Sequence, residues 1–299
     1  MDRNERFGQA DRVIAVGFYV NALLMVFKLL AGYFGKSEAV FADGVESACD
    51  FIAILSTMIA LRIGRRPFDT DHRYGHGKAE SIAAIVVSLV ILATGAGILW
   101  NAARTIYHRT FAEPQLIAVL AAVSTIVIKE SLFRYSRRIS RRLGSPAVEA
   151  IARDHRKDAL TSVATVIGVS SAYGGWVLMD PLAAGLTAFF IFHIAFETFR
   201  NAAHDLMDGQ PSGELISEIT VLAEGVTGVE HVHEIRGRRS GQFLIVDLKL
   251  DMDPMMTVKQ SHDIAVTVKQ LIFEKYPTIG DVMIHINPHD ESHTDMIRL

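Results

Sequence analysis

Six apolar helices that cross a membrane, followed by a small α/β domain of order αββαβ, are the fold that this sequence predicts. Three observations carry the prediction. Half of the 299 residues are hydrophobic and 21% are charged, against about a quarter charged in an average soluble domain, and the mean hydropathy is positive. The apolar residues fall in long runs, each near the roughly 20 residues of helix that span a bilayer core. Charge divides the chain in two: residues 1–207 carry 22 Lys and Arg against 18 Asp and Glu, whereas 208–299 carry 8 against 15, with six of the twelve histidines. The single cysteine, Cys49, excludes an intramolecular disulfide and any CxxC metal or redox site. The apolar content excludes a disordered chain.

In order, the runs lie near Val13–Tyr33, Val40–Leu61, Ile82–Ile106, Leu116–Phe133, Pro146–Tyr173 and Pro181–Asn201. The first is too long for a cleavable signal peptide and has no small-residue cleavage site before more apolar sequence. Gly32 and Gly35, Pro67, Pro114, Gly144 with Pro146, and Gly174-Gly175 punctuate the boundaries. Arg62, Arg65, Arg66, Arg73 and Lys78 join runs two and three, and Arg134, Arg137, Arg138, Arg141 and Arg142 join four and five. The alternate connections are nearly free of Lys and Arg. By the positive-inside rule the basic loops and both termini are expected in the cytoplasm, with the chain in the cell's inner membrane. Domain boundaries at 1–207 and 208–299 follow. In the second domain Ser212–Gly225 and Thr257–Tyr276 show helical periodicity, while Val229–Arg238, Gln242–Asp251 and Asp281–Asn287 alternate like strands.

Carboxylates within a span are expensive and mark function by default. Glu46 and Asp50 in run two, and Asp154 and Asp158 in run five, are each spaced i, i+4, which puts each pair on one helix face. Two such helices facing each other gather four like charges, which need a divalent cation, protons, or both in turn. The alternative is surface acids near a wet loop, paired with Arg153, Arg156 and Lys157; it explains one pair more readily than two at matching spacing. Asp43 lies one turn before Glu46 and reads as part of the path to the site rather than as a ligand. Lys28 and Lys129, with Asn21 and Glu130, read as interior pairing or snorkelling.

Asp69, His72 and His76 form a second group, with three-ligand metal spacing in a stretch that continues Gly75-His76-Gly77-Lys78-Ala79-Glu80. A third comprises His231, His233, Asp247, His262 and His285 with Asn287. These sit on separate predicted strands and a helix, so either folding gathers them or they are ordinary surface histidines. His289 and His293 read as solvated tail residues.

Together these motifs resemble the cation diffusion facilitator family of divalent-metal/proton antiporters over nearly the whole chain. The resemblance rests on Asn21, Lys28 and Gly32 in run one, on Ala42-Asp43 with Ser47 and Asp50 in run two, and on the stretch from Asp69 to Glu80. It continues through Asp154, Arg156, Asp158 and Ala159 in run five to Val282–Pro288 in the last strand. It implies a transport site at Glu46, Asp50, Asp154 and Asp158, a loop site at Asp69, His72 and His76, and a cytoplasmic site at His233, Asp247, His262 and His285. It also implies a homodimer, an inter-subunit salt bridge between Lys78 and Asp208, no organic cofactor, no enzymatic reaction and no nucleic-acid partner. Four positions depart from the family pattern: Glu46 for His or Asp, Asp154 for the His of zinc-selective members, Asp247 for His, and Asn287 for a carboxylate. An all-carboxylate site is hard and favours Fe2+ or Mn2+ over Zn2+, Co2+ or Cd2+. The expectation is export of such an ion from the cytoplasm in exchange for protons; the alternatives are Zn2+, Co2+ or Cd2+ efflux by the same route, or a membrane metal sensor that does not transport.

Overall fold

A computed structural model describes residues 3–289, with side chains from Gly8 onward. Six long helices come first: α1 (Arg3–Phe34), α2 (Glu38–Gly64), α3 (Ala79–His108), α4 (Leu116–Leu143), α5 (Pro146–Tyr173) and α6 (Met179–Leu206). They are followed by α7 (Gly213–Glu224), β1 (His231–Ser240), β2 (Phe243–Met252), α8 (Val258–Lys275) and β3 (Ile279–Pro288). Five of the long helices are apolar and long enough to cross a membrane; α5 is the exception. Its first half holds Glu149, Arg153, Asp154, Arg156, Lys157 and Asp158, which dilute the apolar signal while leaving its length unchanged.

Local chemistry sets the helix ends. Ser145 caps α5 by accepting the Val148 N–H, and Pro146 fits the first turn, where its missing donor is not needed. α4 stops at Gly144, whose φ of 60° lies in the left-handed region that a Cβ disfavours. The helix runs ten residues past the expected end at Phe133, because its Arg-rich continuation keeps the helix while leaving the apolar stripe.

The chain forms two compact units. One comprises residues 1–56 and 86–198; the other comprises 57–85 and 199–299. In the first, α4 packs along α5 and α1, and small residues let the helices approach closely. A Cβ on Gly32 would lie 2.5 Å from the Phe41 nitrogen, so α1 and α2 meet there at backbone distance. Ala31, Val40, Ala118, Ala121, Ala122 and Val169 make one buried contact region, and Ala42, Ala102 and Ala184 another.

In the second unit, a three-stranded sheet of order β1-β2-β3 pairs β1 with β2 antiparallel and β2 with β3 parallel. The parallel pair requires a crossover, which α8 provides. α8 opens with a capping box between Thr257 and Gln260. The core lies between helices and sheet, with Ile219, Leu248, Leu250, Met252, Val268 and Ile272 at 1% exposure or less.

Candidate metal centre

Among the described residues the buried charges of the first unit sit on α1, α2, α4, α5 and α6, where Asp180 accepts from Ser37 and from the Glu38 N–H. Lys28, 2% exposed, places Nζ 3.0 Å from Asp43 Oδ1 and 3.1 Å from the Asp43 carbonyl oxygen. Ser162 donates to both Asp43 oxygens at 3.4 Å. Asp43 Oδ1 is therefore held by a buried ammonium. Lys129 donates to Asp158 Oδ2 at 2.6 Å. Glu130, next in sequence, is instead held by Arg134 at 2.9 Å and Arg156 at 3.3 Å. The two lysine groupings are the interior pairing expected of lone charges in a span, whereas the Glu130 grouping lies at the surface.

The two predicted acidic pairs come into electrostatic range of each other: Asp50 interacts with both Asp154 and Asp158, and Glu46 with Asp50 and Asp158. Glu46 and Asp158 are half-buried, while Asp50 and Asp154 are open. Asp154 also lines a groove of 530 Å³ with Glu149, Arg153 and Lys157. Within the described residues no three of these carboxylates offer ligand atoms within 4.8 Å of one another.

The loop after α2 is more tightly drawn. Asp69, His72 and His76 are, among the described residues, the group whose ligand atoms all lie within 4.8 Å of one another. Asp69 Oδ1 lies 3.4 Å from His72 Nδ1, and Oδ2 lies 3.4 Å from His76 Nε2. The loop builds this arrangement locally: the Asp69 carboxylate accepts the backbone N–H of His72 at 2.7 Å and of Asp71 at 3.0 Å, closing an Asx turn. Those bonds, chiefly the one from His72, hold the Asp69 carboxyl below the usual carboxylate range. His76 Nδ1 lies 3.2 Å from the Pro67 carbonyl oxygen. A proton on Nδ1 donated to that oxygen leaves the Nε2 lone pair facing Asp69, the orientation a metal-binding imidazole needs.

Lys78 donates to Asp208 Oδ1 at 2.7 Å and also to the Asp205 carbonyl oxygen. This bridge closes within one chain, where the resemblance implies one between subunits. Both residues belong to the same compact unit, so the loop after α2 and the end of α6 reach each other without a second copy.

The C-terminal residues are spread over the sheet. Asp247 pairs across to Arg236 and Met283, and His285 lies opposite Lys249. His262 is exposed on α8, and His233 sits at the irregularity of β1. Asp247, His262 and His285 do not join His233 in a ligand cluster among the described residues. The residue that the sequence pattern did not single out is Asp251, 5% exposed at the end of β2. Asn287 donates to it at 3.2 Å, and His233 Nδ1 and His289 Nδ1 stand 3.7 and 3.9 Å away. His289 therefore faces a buried carboxylate, although it is still 56% exposed; His293 lies outside the described residues. Strand register was the available signal, since Asp251 pairs with His231 on one side and Asn287 on the other. His231 itself turns away, to Glu224 at 3.1 Å.

Residues 14–207 match the family described as cation efflux transmembrane domain, and residues 211–289 match the cation efflux protein, cytoplasmic domain. The manganese efflux system protein MneP of Bacillus subtilis is 34% identical over 96% of this chain and 99% of its own length. MneS of the same organism, also a manganese efflux system protein, is 30% identical over 95% of this chain and 97% of its own. The magnetosome protein MamB of Magnetospirillum gryphiswaldense is 28% identical over 93% and 94%. With both halves matched in order, this chain is a multi-pass membrane protein of the cation efflux, or cation diffusion facilitator, family of divalent-metal transporters.

Proposed function

We propose that the protein exports Mn2+ or Fe2+ from the cytoplasm by alternating access, in exchange for protons, through a site formed by Glu46, Asp50, Asp154 and Asp158. The carrying observation is that two acidic pairs on α2 and α5, each at i, i+4, interact electrostatically and contain only oxygen ligands. A hard, all-carboxylate site favours Mn2+ and Fe2+ over ions that prefer nitrogen or sulfur. Two relatives named for manganese efflux support the same choice.

Metal requires deprotonated carboxylates, so loading the site releases protons and reprotonation from the far side expels the ion. The protonated site then returns with its charge neutralised. Asp69, His72 and His76 supply a second site on the loop, and the C-terminal domain joins two copies into a homodimer. Metal held there would bias the membrane halves only through a difference in affinity between their states.

Metal-by-metal uptake into proteoliposomes with an imposed pH gradient tests the reading. Asp50→Ala and Asp158→Ala are expected to abolish Mn2+ flux while leaving a folded protein. Native flux in both variants would overturn the site, and flux indifferent to the gradient would overturn the exchange.

A further inference from the structure

The membrane unit buries two lysines, and it holds them differently. Lys28 is locked by two contacts to Asp43, one to the side chain and one to the backbone. Lys129, 5% exposed on α4, makes one hydrogen bond among the described residues, its Nζ lying 2.6 Å from Asp158 Oδ2. That partner belongs to the carboxylate pair on α5 and is still 29% exposed. The neighbouring acid on α4 does not compete for the ammonium. Glu130 is taken by Arg134 and Arg156, and the groups that face Lys129 from α2 and α5 are Asp50, His155 and Asp158.

We propose that Lys129 is a releasable counter-ion of the transport site, neutralising Asp158 before metal binds and displaced from it when a divalent cation takes the same oxygen. This rests on the transport-site reading above. A divalent cation bound to the Asp158 carboxylate would stand close to the Lys129 ammonium, and the two like charges repel. A lysine suits this exchange better than an arginine. Its charge is a compact point on a flexible stem, whereas a guanidinium grips a carboxylate with two parallel bonds. Asp50, on the facing helix, remains within electrostatic range of the ammonium once Asp158 is surrendered. The tethered charge lowers the affinity for metal without filling the site, so a four-carboxylate trap still lets its ion go.

The test is the KM and turnover of Mn2+ uptake by full-length protein in proteoliposomes, for the native chain, Lys129→Gln, Lys129→Arg and Asp158→Asn. Removing the competing cation in Lys129→Gln is expected to lower KM for the metal and, because the ion is then released less readily, to slow turnover. Lys129→Arg, which preserves the charge and guards against a misfolded glutamine variant, is expected to raise KM by holding Asp158 more firmly. A merely structural lysine would change the amount of folded protein or raise KM, and would not lower KM and turnover together. Unchanged or raised KM in Lys129→Gln, or lowered KM in Lys129→Arg, overturns the counter-ion role while Asp158→Asn remains inactive. Native uptake by Asp158→Asn overturns it together with the site on which it rests.

Discussion

Replacing Lys28 by Met measures how the membrane half tolerates an unpaired charge. The side chains of Lys28 and Asp43 are 2% and 5% exposed, and their ion pair spans 3.0 Å. With the ammonium gone, the Asp43 carboxylate retains only Ser162, whose hydroxyl stands 3.4 Å from each oxygen. A buried pair broken from one side leaves an uncompensated charge and costs about 3–5 kcal/mol. The double variant Lys28→Met/Asp43→Asn removes both charges and should recover most of the loss, because a neutral amide still bonds with Ser162. Unfolding in mixed detergent micelles, read by circular dichroism, gives the three free energies. A single-variant loss under about 1 kcal/mol, or a double variant no better than the single, would refute the view that this pair is a fixed structural tie.

Three further outcomes follow from the geometry. A Cβ on Gly168 would clash with the Ala183 Cβ and lie 3.0 Å from the Met179 carbonyl oxygen. Gly168→Ala should therefore force α5 from α6 and cost about 1–3 kcal/mol in the same unfolding assay, and an unchanged midpoint would show that the helices pack more loosely. Metal at the loop site requires unprotonated imidazoles at His72 and His76, so its affinity should fall as pH is lowered while Asp69 is still ionised. The sign follows from Asp69: its carboxyl is held low, so it stays ionised and favours the folded turn above the ordinary carboxylate range, and that contribution disappears only as pH falls through the lowered value. A Mn2+ titration by isothermal calorimetry across pH 5 to 8, native against His72→Ala/His76→Ala, reads it. Equal binding by the two chains across that range would assign the metal to groups other than these imidazoles. Asp154→His introduces a nitrogen ligand and should raise Zn2+ uptake relative to Mn2+ in competition; an unchanged ratio would remove Asp154 as the selecting residue.

How far the sequence could be read depended on whether each feature is local. α5 begins at Pro146 and ends at Tyr173, the expected bounds, because Ser145, Pro146 and Gly174 are signals written at the ends themselves. α4 overran its expected end because hydropathy reports the thickness of the apolar layer and not the length of the helix. The strands and helices of the C-terminal domain were visible in their periods, and a parallel β2–β3 pair around α8 follows once two strands flank a helix. Asp69, His72 and His76 were legible because a single turn brings them together; Asp251 was not, because its neighbours arrive from β1, from β3 and from beyond β3. The same limit governs the charges. Spacing identified Glu46 and Asp50, and Asp154 and Asp158, as two pairs, yet it is blind to Lys28 reaching Asp43 fifteen residues on or Lys129 reaching Asp158 on the next helix. Those lysines change what the acids mean. Asp43 is paired with a buried lysine and Asp158 with another at a single contact, while Glu46, Asp50 and Asp154 carry no lysine on their oxygens among the described residues. A count of acids in the spans would treat these five alike. The assignment of each lysine separates the carboxylate that ties α1 to α2 from those proposed to take an ion.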